Sequence, residues 1–157
     1  MTWLDHKIPP PLVALLCAAV MTFLAEHSLA HYAAIASQSP LKVAVMFALV
    51  ALAIAIVFAG VRAFKKARTT VNPLKPQTAS SLVVHGVYRY TRNPMYVGIA
   101  LLLTAWAIFL QGGVMFIGVL GFVLYIDRFQ IVPEEHAMHA LFGDEFERYK
   151  RSVRRWL

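Results

Sequence analysis

No aspartate or glutamate occurs between Glu26 and Asp127. The cations in that interval are bunched, which leaves long stretches with no charge of either sign. Ile8–Ala25 and Val43–Val61 are uncharged runs of eighteen and nineteen residues. Asn93–Ile126 is a third, interrupted by the turn signal Gln111-Gly112-Gly113. A bilayer-spanning helix needs about 20 mostly apolar residues. The first two runs therefore predict one span each, and the third predicts a hairpin of two shorter spans, Met95–Leu110 and Val114–Val132. The expected fold is an all-α integral membrane bundle of four transmembrane helices, the last two a hairpin, with cytoplasmic amphipathic helices after it. The alternative for the first run is a cleaved signal peptide. Its apolar part exceeds the h-region length of about 7–15 residues, and no Ala-x-Ala site leads into a soluble domain.

Composition agrees. Hydrophobic residues make up 59% and charged residues 15%, whereas a soluble domain carries roughly 25% charged residues. Cys17 stands alone, which excludes an internal disulfide and a multi-cysteine zinc site. No metal site is predicted.

The cations set the orientation. Arg62, Lys65, Lys66, Arg68, Lys75, Arg89 and Arg92 lie between spans two and three, and Arg128, Arg148, Lys150, Arg151, Arg154 and Arg155 border or follow span four. The positive-inside rule makes that shared side cytoplasmic. The chain then reads as one membrane domain over 1–157: two spans in 1–66, a cytoplasmic loop in 67–94, the hairpin in 95–132 and cytoplasmic helices in 133–157. A bacterial inner membrane with both termini inside is the expected location. The net charge of +7 does not indicate nucleic acid, because the cations flank apolar spans instead of forming an aromatic-interleaved patch. They suit anionic phospholipid, at about 1 kcal/mol per juxtamembrane cation.

Chemistry concentrates in two polar segments. Thr69–Gly98 is broken by Asn72-Pro73, Lys75-Pro76 and His85-Gly86, so turns and extended chain are expected. Arg92-Asn93-Pro94 falls where span three begins, with proline suited to the first helical turn. A helix N-terminus there attracts a carboxylate or phosphate; simple capping with an interfacial Tyr96 is the alternative. After span four, Pro133-Glu134-Glu135 reads as a helix start, its acids well placed on the dipole. Phe142, Phe146, Tyr149, Val153 and Trp156 recur at helical spacing as one apolar stripe. Asp144–Arg148 and Glu147–Arg151 are i,i+4 pairs on the other side. Gly143 is a weak point or a boundary between two helices. Such a helix can lie on the membrane surface. Alternatively, the hairpin brings both polar segments to one membrane face. Arg128, about two helical turns before Glu135, would then face the same cleft, as a site for a polar cofactor beside a lipid-accessible substrate.

GVYRYTRNPMYVG (Gly86–Gly98) resembles the glycine, aromatic, Arg-His-Pro-x-Tyr-x-Gly signature of isoprenylcysteine carboxyl methyltransferases and the related phospholipid methyltransferases. PEEHAMHALFGDEFERYKRSV (Pro133–Val153) is similar to their Glu-Glu tail, and NPLKP (Asn72–Pro76) resembles small bacterial members. The resemblance covers Thr69 to Leu157 and implies S-adenosylmethionine as methyl donor. His85, Gly86, Val87 and Tyr88 would line the cofactor, Arg92, Asn93 and Tyr96 would hold its polar end, and Glu134 and Glu135 would bind its amino or ribose groups. Arg128 and Glu135 are the implied catalytic residues, with Arg128 orienting the acceptor. The acceptor would be lipophilic: the carboxylate of an isoprenylcysteine-like substrate, a lipid amine or a thiol. Asn93 stands in place of the family's histidine, Met138 of a leucine and Phe146 of the first tail tyrosine. Methyl transfer from a sulfonium needs orientation and exclusion of water more than acid–base help.

Two other functions compete with this one. An NADPH-dependent reductase of the sterol-reductase kind resembles this C-terminal architecture but is normally longer. A four-span transporter would be marked by an intramembrane carboxylate, for which Glu26 is the candidate. His27 and His31, one helical turn apart, are a possible metal or haem pair that lacks a third ligand.

Overall fold

The structure, a computed structural model, describes residues 7–25, 29–67 and 80–157. Six α-helices form: α1 (Pro10–Leu24), α2 (Leu29–Ala36), α3 (Pro40–Lys66), α4 (Pro94–Phe109), α5 (Phe116–Ile126) and α6 (Val132–Ser152). A 3₁₀ turn at Gly86–Arg89 precedes α4, another at Gly113–Met115 precedes α5, and a π turn at Asp127–Ile131 joins α5 to α6. No strand occurs among the described residues. The motif Asn72–Pro76 lies outside them, as do Glu26 and His27.

Proline sets several helix starts, since its missing N–H is unpaired in a first turn. α1, α3 and α4 each carry proline in that turn, and Ser39 Oγ accepts from the Lys42 amide ahead of α3. Pro10 starts α1 two residues inside the first uncharged run, and α4 matches the expected Met95–Leu110 to within one residue at each end. α3 and the continuous run Gly113–Ser152 are long and apolar enough to cross a membrane, while Pro10–Leu24 and Pro94–Phe109 are apolar but shorter. At 1.5 Å per residue, 15 and 16 residues cover about 23 Å, against a hydrocarbon core of about 30 Å. Among the described residues two helices, rather than the four expected, have full spanning length, consistent with a helical membrane protein. The short helix α2 was not expected from the sequence.

α3 packs antiparallel on α4, α4 packs on α5, and α1 packs on both α5 and α4. A Cβ on Gly60 would sit 3.4 Å from Pro94, and one on Gly98 would sit 2.5 Å from Val57 Cγ2 and 3.0 Å from the Ala53 carbonyl. Gly98, the last residue of the signature, is therefore the point where α3 and α4 touch backbone to backbone. Farther along this seam, Gln38 Nε2 donates to the Phe109 carbonyl at 3.1 Å. Gln130, fully buried in the π turn, donates to the Ile8 carbonyl at 2.8 Å, tying the start of α1 to the end of α5. The starts of α1 and α4 and the ends of α3 and α5 consequently share one end of the bundle.

The core continues along the bundle through Val13, Met21, Tyr96, Leu103, Phe122, Ile126 and Ile131. The outer faces stay apolar: Leu15, Phe23, Phe47, Phe58 and Ile117 are exposed. That is the arrangement for hydrocarbon as solvent, where helices hide backbone groups and not apolar side chains.

Candidate functional site

A second apolar cluster caps the polar end, built from Val83, Tyr88, Phe146 and Tyr149, with Phe64, Met138, Phe142 and Val153 packed on it. It shows what the periodic stripe in the tail does. Phe146 and Tyr149 are buried against the loop before α4 instead of lying on a membrane surface. Tyr149 Oη donates to the Tyr88 carbonyl at 2.7 Å. Phe146, in place of the family's tyrosine, needs no hydroxyl in this setting. Trp156 leaves the stripe because α6 ends before it: Val153 is extended (φ −131°, ψ 134°). Its indole packs on the bundle core and donates to Asp127 at 3.2 Å. Gly143, at φ 48° and ψ −123°, breaks α6 in a backbone region that favours glycine. Beyond the break Glu147 pairs with Lys150 and His139, each at 3.1 Å, in place of the i,i+4 partner Arg151 that spacing suggests.

The two polar segments meet between these clusters. Thr91, Arg92 and Asn93 grip the chain around and beyond the end of α6. Thr91 Oγ1 and Asn93 Nδ2 donate to the Arg155 carbonyl at 3.2 and 2.9 Å. The Arg92 amide donates to the Arg154 carbonyl at 3.0 Å, and its Nη1 donates to the Lys150 and Val153 carbonyls at 3.1 and 2.9 Å. Asn93 precedes α4 but does not cap it with its side chain; the amide group goes to the tail instead.

Glu135 is enclosed by guanidinium groups. Arg92 Nη2 reaches Oε1 at 2.6 Å, while Arg155 reaches Oε1 at 3.0 Å and Oε2 at 2.6 Å. The other face of Arg155 holds both oxygens of Asp127, at 3.1 and 3.0 Å. The Arg92 and Glu135 side chains are only 11% and 13% exposed. Burial pushes the Glu135 carboxyl upward, but Arg155 and then Arg92 outweigh it and hold the carboxyl below the usual carboxylate range.

Glu134, one residue earlier, has none of this. It forms no ion pair with a described residue, and Tyr96 Oη donates to its Oε1 at 2.5 Å. Withdrawal from water pushes its carboxyl up to about 8; the Tyr96 hydrogen bond opposes that and the Glu135 charge adds to it. Both acids follow Val132, where the apolar stretch of the long helix ends. Burial likewise raises the Tyr88 hydroxyl, with Tyr149 and Glu134 adding to the effect. Tyr88, Tyr96 and Glu134 thus face a common region.

Of the residues singled out from sequence, Tyr88, Arg92, Asn93, Tyr96, Glu134 and Glu135 come together. Val87 packs with the second cluster, and His85 and Gly86 are exposed beside it. Gly86 has φ +63° and open space where a Cβ would project. Arg128 does not join. It is exposed, with its guanidinium over the Phe129 ring at 5.5 Å. The π turn accounts for this: its wider i→i+5 winding shifts the helical register, so that Asp127 faces the cluster. Sequence reasoning missed Asp127, Thr91 and the site role of Arg155, which read as one more membrane-flanking cation. The reductase reading has no support in the comparisons below, and the transporter's Glu26 falls outside the described residues.

Residues 41–145 match the family described as phospholipid methyltransferase. A protein of Haemophilus influenzae (strain ATCC 51907 / DSM 11121 / KW20 / Rd), described as an uncharacterized protein, is 46% identical over 63 residues, covering 40% of this chain and 100% of the relative. No solved structure gives a significant match. The family match spans well over half of the chain, from α3 through the loop, the hairpin and most of α6, and the protein belongs to the phospholipid methyltransferase family.

Proposed function

We propose that this protein is an integral membrane methyltransferase that uses S-adenosylmethionine to methylate a lipophilic acceptor. One observation carries the reading: Glu134 is a largely desolvated carboxyl with no cationic partner among the described residues, set against two tyrosines. Such a group is incomplete without a positive ligand, and a donor bearing both an ammonium and a sulfonium fits it. Tyrosine faces can add about 0.5–2 kcal/mol to the binding of a desolvated cation. Bound there, S-adenosylmethionine would supply an electrophilic methyl group.

In this reading Glu134 loses its proton as the cationic ligand enters and regains one when positive charge departs. Tyr96 orients the carboxyl throughout through Oε1. Arg92 and Asn93 hold the tail against the loop, and Glu135 keeps Arg92 in place. His85, Gly86 and Val87 border the pocket, where the absence of a side chain on Gly86 leaves room for the donor. Orientation and exclusion of water provide most of the acceleration. The position of Arg128 favours an amine or thiol acceptor over a carboxylate, since no guanidinium is left free in the cluster to hold a carboxylate. The family description favours a lipid amine. The chain would form one membrane domain with four crossings, α1 and α4 included, and the charge distribution supports a cytoplasmic site and a bacterial inner membrane.

Calorimetry in detergent micelles tests the donor site with S-adenosylhomocysteine. Binding should release about one proton at pH 7, because a carboxyl titrating near 8 is mostly protonated there. Repeating the titration in buffers of different ionisation enthalpy counts that proton. Glu134→Gln should abolish the release. Wild-type protein that does not bind would overturn the reading, and transfer of labelled methyl into a lipid extract would then identify the acceptor only if binding is seen.

A further inference from the structure

Arg155 is held at both ends. Its carbonyl accepts from Thr91 and Asn93 at 3.2 and 2.9 Å, and its guanidinium is anchored on both oxygens of Asp127. The remaining edge of that guanidinium makes parallel bonds to both oxygens of Glu135, at 3.0 and 2.6 Å. A planar fork facing a carboxylate fixes its orientation as well as its charge, which a lysine cannot do. With Arg92 on Oε1 as well, neither oxygen of Glu135 lacks a cationic donor. Glu134 is left as the one member of the pair able to meet an incoming cation.

We propose that Arg155 is a positioning residue of the donor site, and that the segment around it, strapped onto the loop before α4, assigns the two carboxyls their separate tasks. The proposal rests on the donor reading given above. Arg155 touches no reacting atom; it acts through Glu135. Without it, Glu135 Oε2 has no partner, and an arriving cation can pair with an already ionised Glu135 instead of the protonated Glu134.

The test follows the proton count because a merely structural role would leave it unchanged. The groups that set it are Glu134 and Glu135 on α6, Tyr96 on α4, Tyr88 and Arg92 in the loop, Asp127 in the π turn, and Tyr149 and Arg155 in the tail. S-adenosylhomocysteine is titrated at pH 7 into the full-length wild type, Arg155→Gln, Arg155→Lys and Asp127→Asn, with thermal unfolding run alongside. Wild type should release about one proton per ligand. Arg155→Gln should release less than about half of that and bind roughly tenfold more weakly. Arg155→Lys should recover the proton count, since it restores charge to Glu135, but not the full affinity. Asp127→Asn frees the guanidinium from its anchor and should move both readings in the same direction as Arg155→Gln. It decides the matter if Arg155→Gln does not fold. Variants that match the wild type in proton count and affinity overturn the role of Arg155. A wild type that binds no ligand overturns the donor reading instead, a result distinct from the first.

Discussion

Glu134 and Glu135 are neighbours in the chain but occupy opposite settings. Glu135 turns toward the loop and tail, where Arg92 and Arg155 surround it and Asp127 brings the group to two acids and two guanidinium ions. Glu134 turns toward the bundle, where Tyr96 offers a single neutral donor. Consecutive helical residues point about 100° apart. A helix lying between a charged flank and an apolar one therefore gives adjacent acids different fates. In the proposed reading one is a structural anion and the other the acid that meets a cation, so a Glu-Glu pair need not act as a unit.

The largest effects should come from breaking the charged side. Arg92→Ala removes the bond to Glu135 and two bonds to tail carbonyls together. Leaving a buried partner uncompensated costs about 3–5 kcal/mol, so the thermal midpoint in detergent should fall by roughly 10 °C. Next is a matched pair of isosteres. Glu135→Gln leaves two guanidinium groups facing a neutral amide and should cost about 2–3 kcal/mol. Glu134→Gln removes a carboxyl that must take up a proton on folding at pH 7, so it should leave the fold at least as stable as wild type there while removing cation binding. Equal losses for the two substitutions would erase the distinction between these acids.

Much of this architecture was legible in the sequence. Uncharged runs announce helices in hydrocarbon, and Gln111-Gly112-Gly113 marks the hairpin turn that folds Arg92 back onto Glu135. Helix length was less legible for α1, because Pro10 begins it two residues inside the uncharged run, whereas α4 keeps the 16 residues expected of the third span. The stripe Phe146-Tyr149 was visible, but its partner was not: a membrane surface and the apolar side of the Val83–Tyr88 loop attract the same residues. Arg128 was misplaced for a geometric reason. A count of residues assumes 3.6 per turn, and the π turn at Asp127–Ile131 breaks that count. Arg155 was hidden by composition, one cation among many at the end of a basic tail. Its place in the cluster comes from two loop residues, Thr91 and Asn93, that hold its carbonyl, which periodicity does not encode.

More diagnostic than any single substitution is the dependence of stability on pH. Glu134 has a raised carboxyl, so the folded state holds a proton the unfolded state has lost. Its contribution is complete below the ordinary carboxylate range and disappears as pH rises toward about 8, at about 1.4 kcal/mol per pH unit inside that window. Glu135 has the opposite sign: its contribution is present above the ordinary range and is lost as pH falls through its lowered value. Chemical unfolding of wild type should show decline on both flanks. Glu134→Gln should flatten only the decline between the ordinary carboxylate range and about 8, and Glu135→Gln only the decline on the acid side of that range. A variant that flattens the wrong flank would exchange the assignments.

The smallest expected change probes the one bond on the quiet side. Tyr96→Phe removes the hydroxyl that donates to Glu134 Oε1, a loss of about 0.5–1.5 kcal/mol for a neutral hydrogen bond. The direction of the accompanying titration matters more than the size of that loss. The Tyr96 bond favours the ionised carboxylate and pulls Glu134 downward against burial. Without it the carboxyl should titrate at higher pH, and the fall in stability of Tyr96→Phe should continue beyond the pH at which the wild-type curve levels. A curve that levels earlier would mean that Tyr96 serves the neutral form. In that case the ring, and not the hydroxyl, would be what Tyr96 contributes to a cationic ligand.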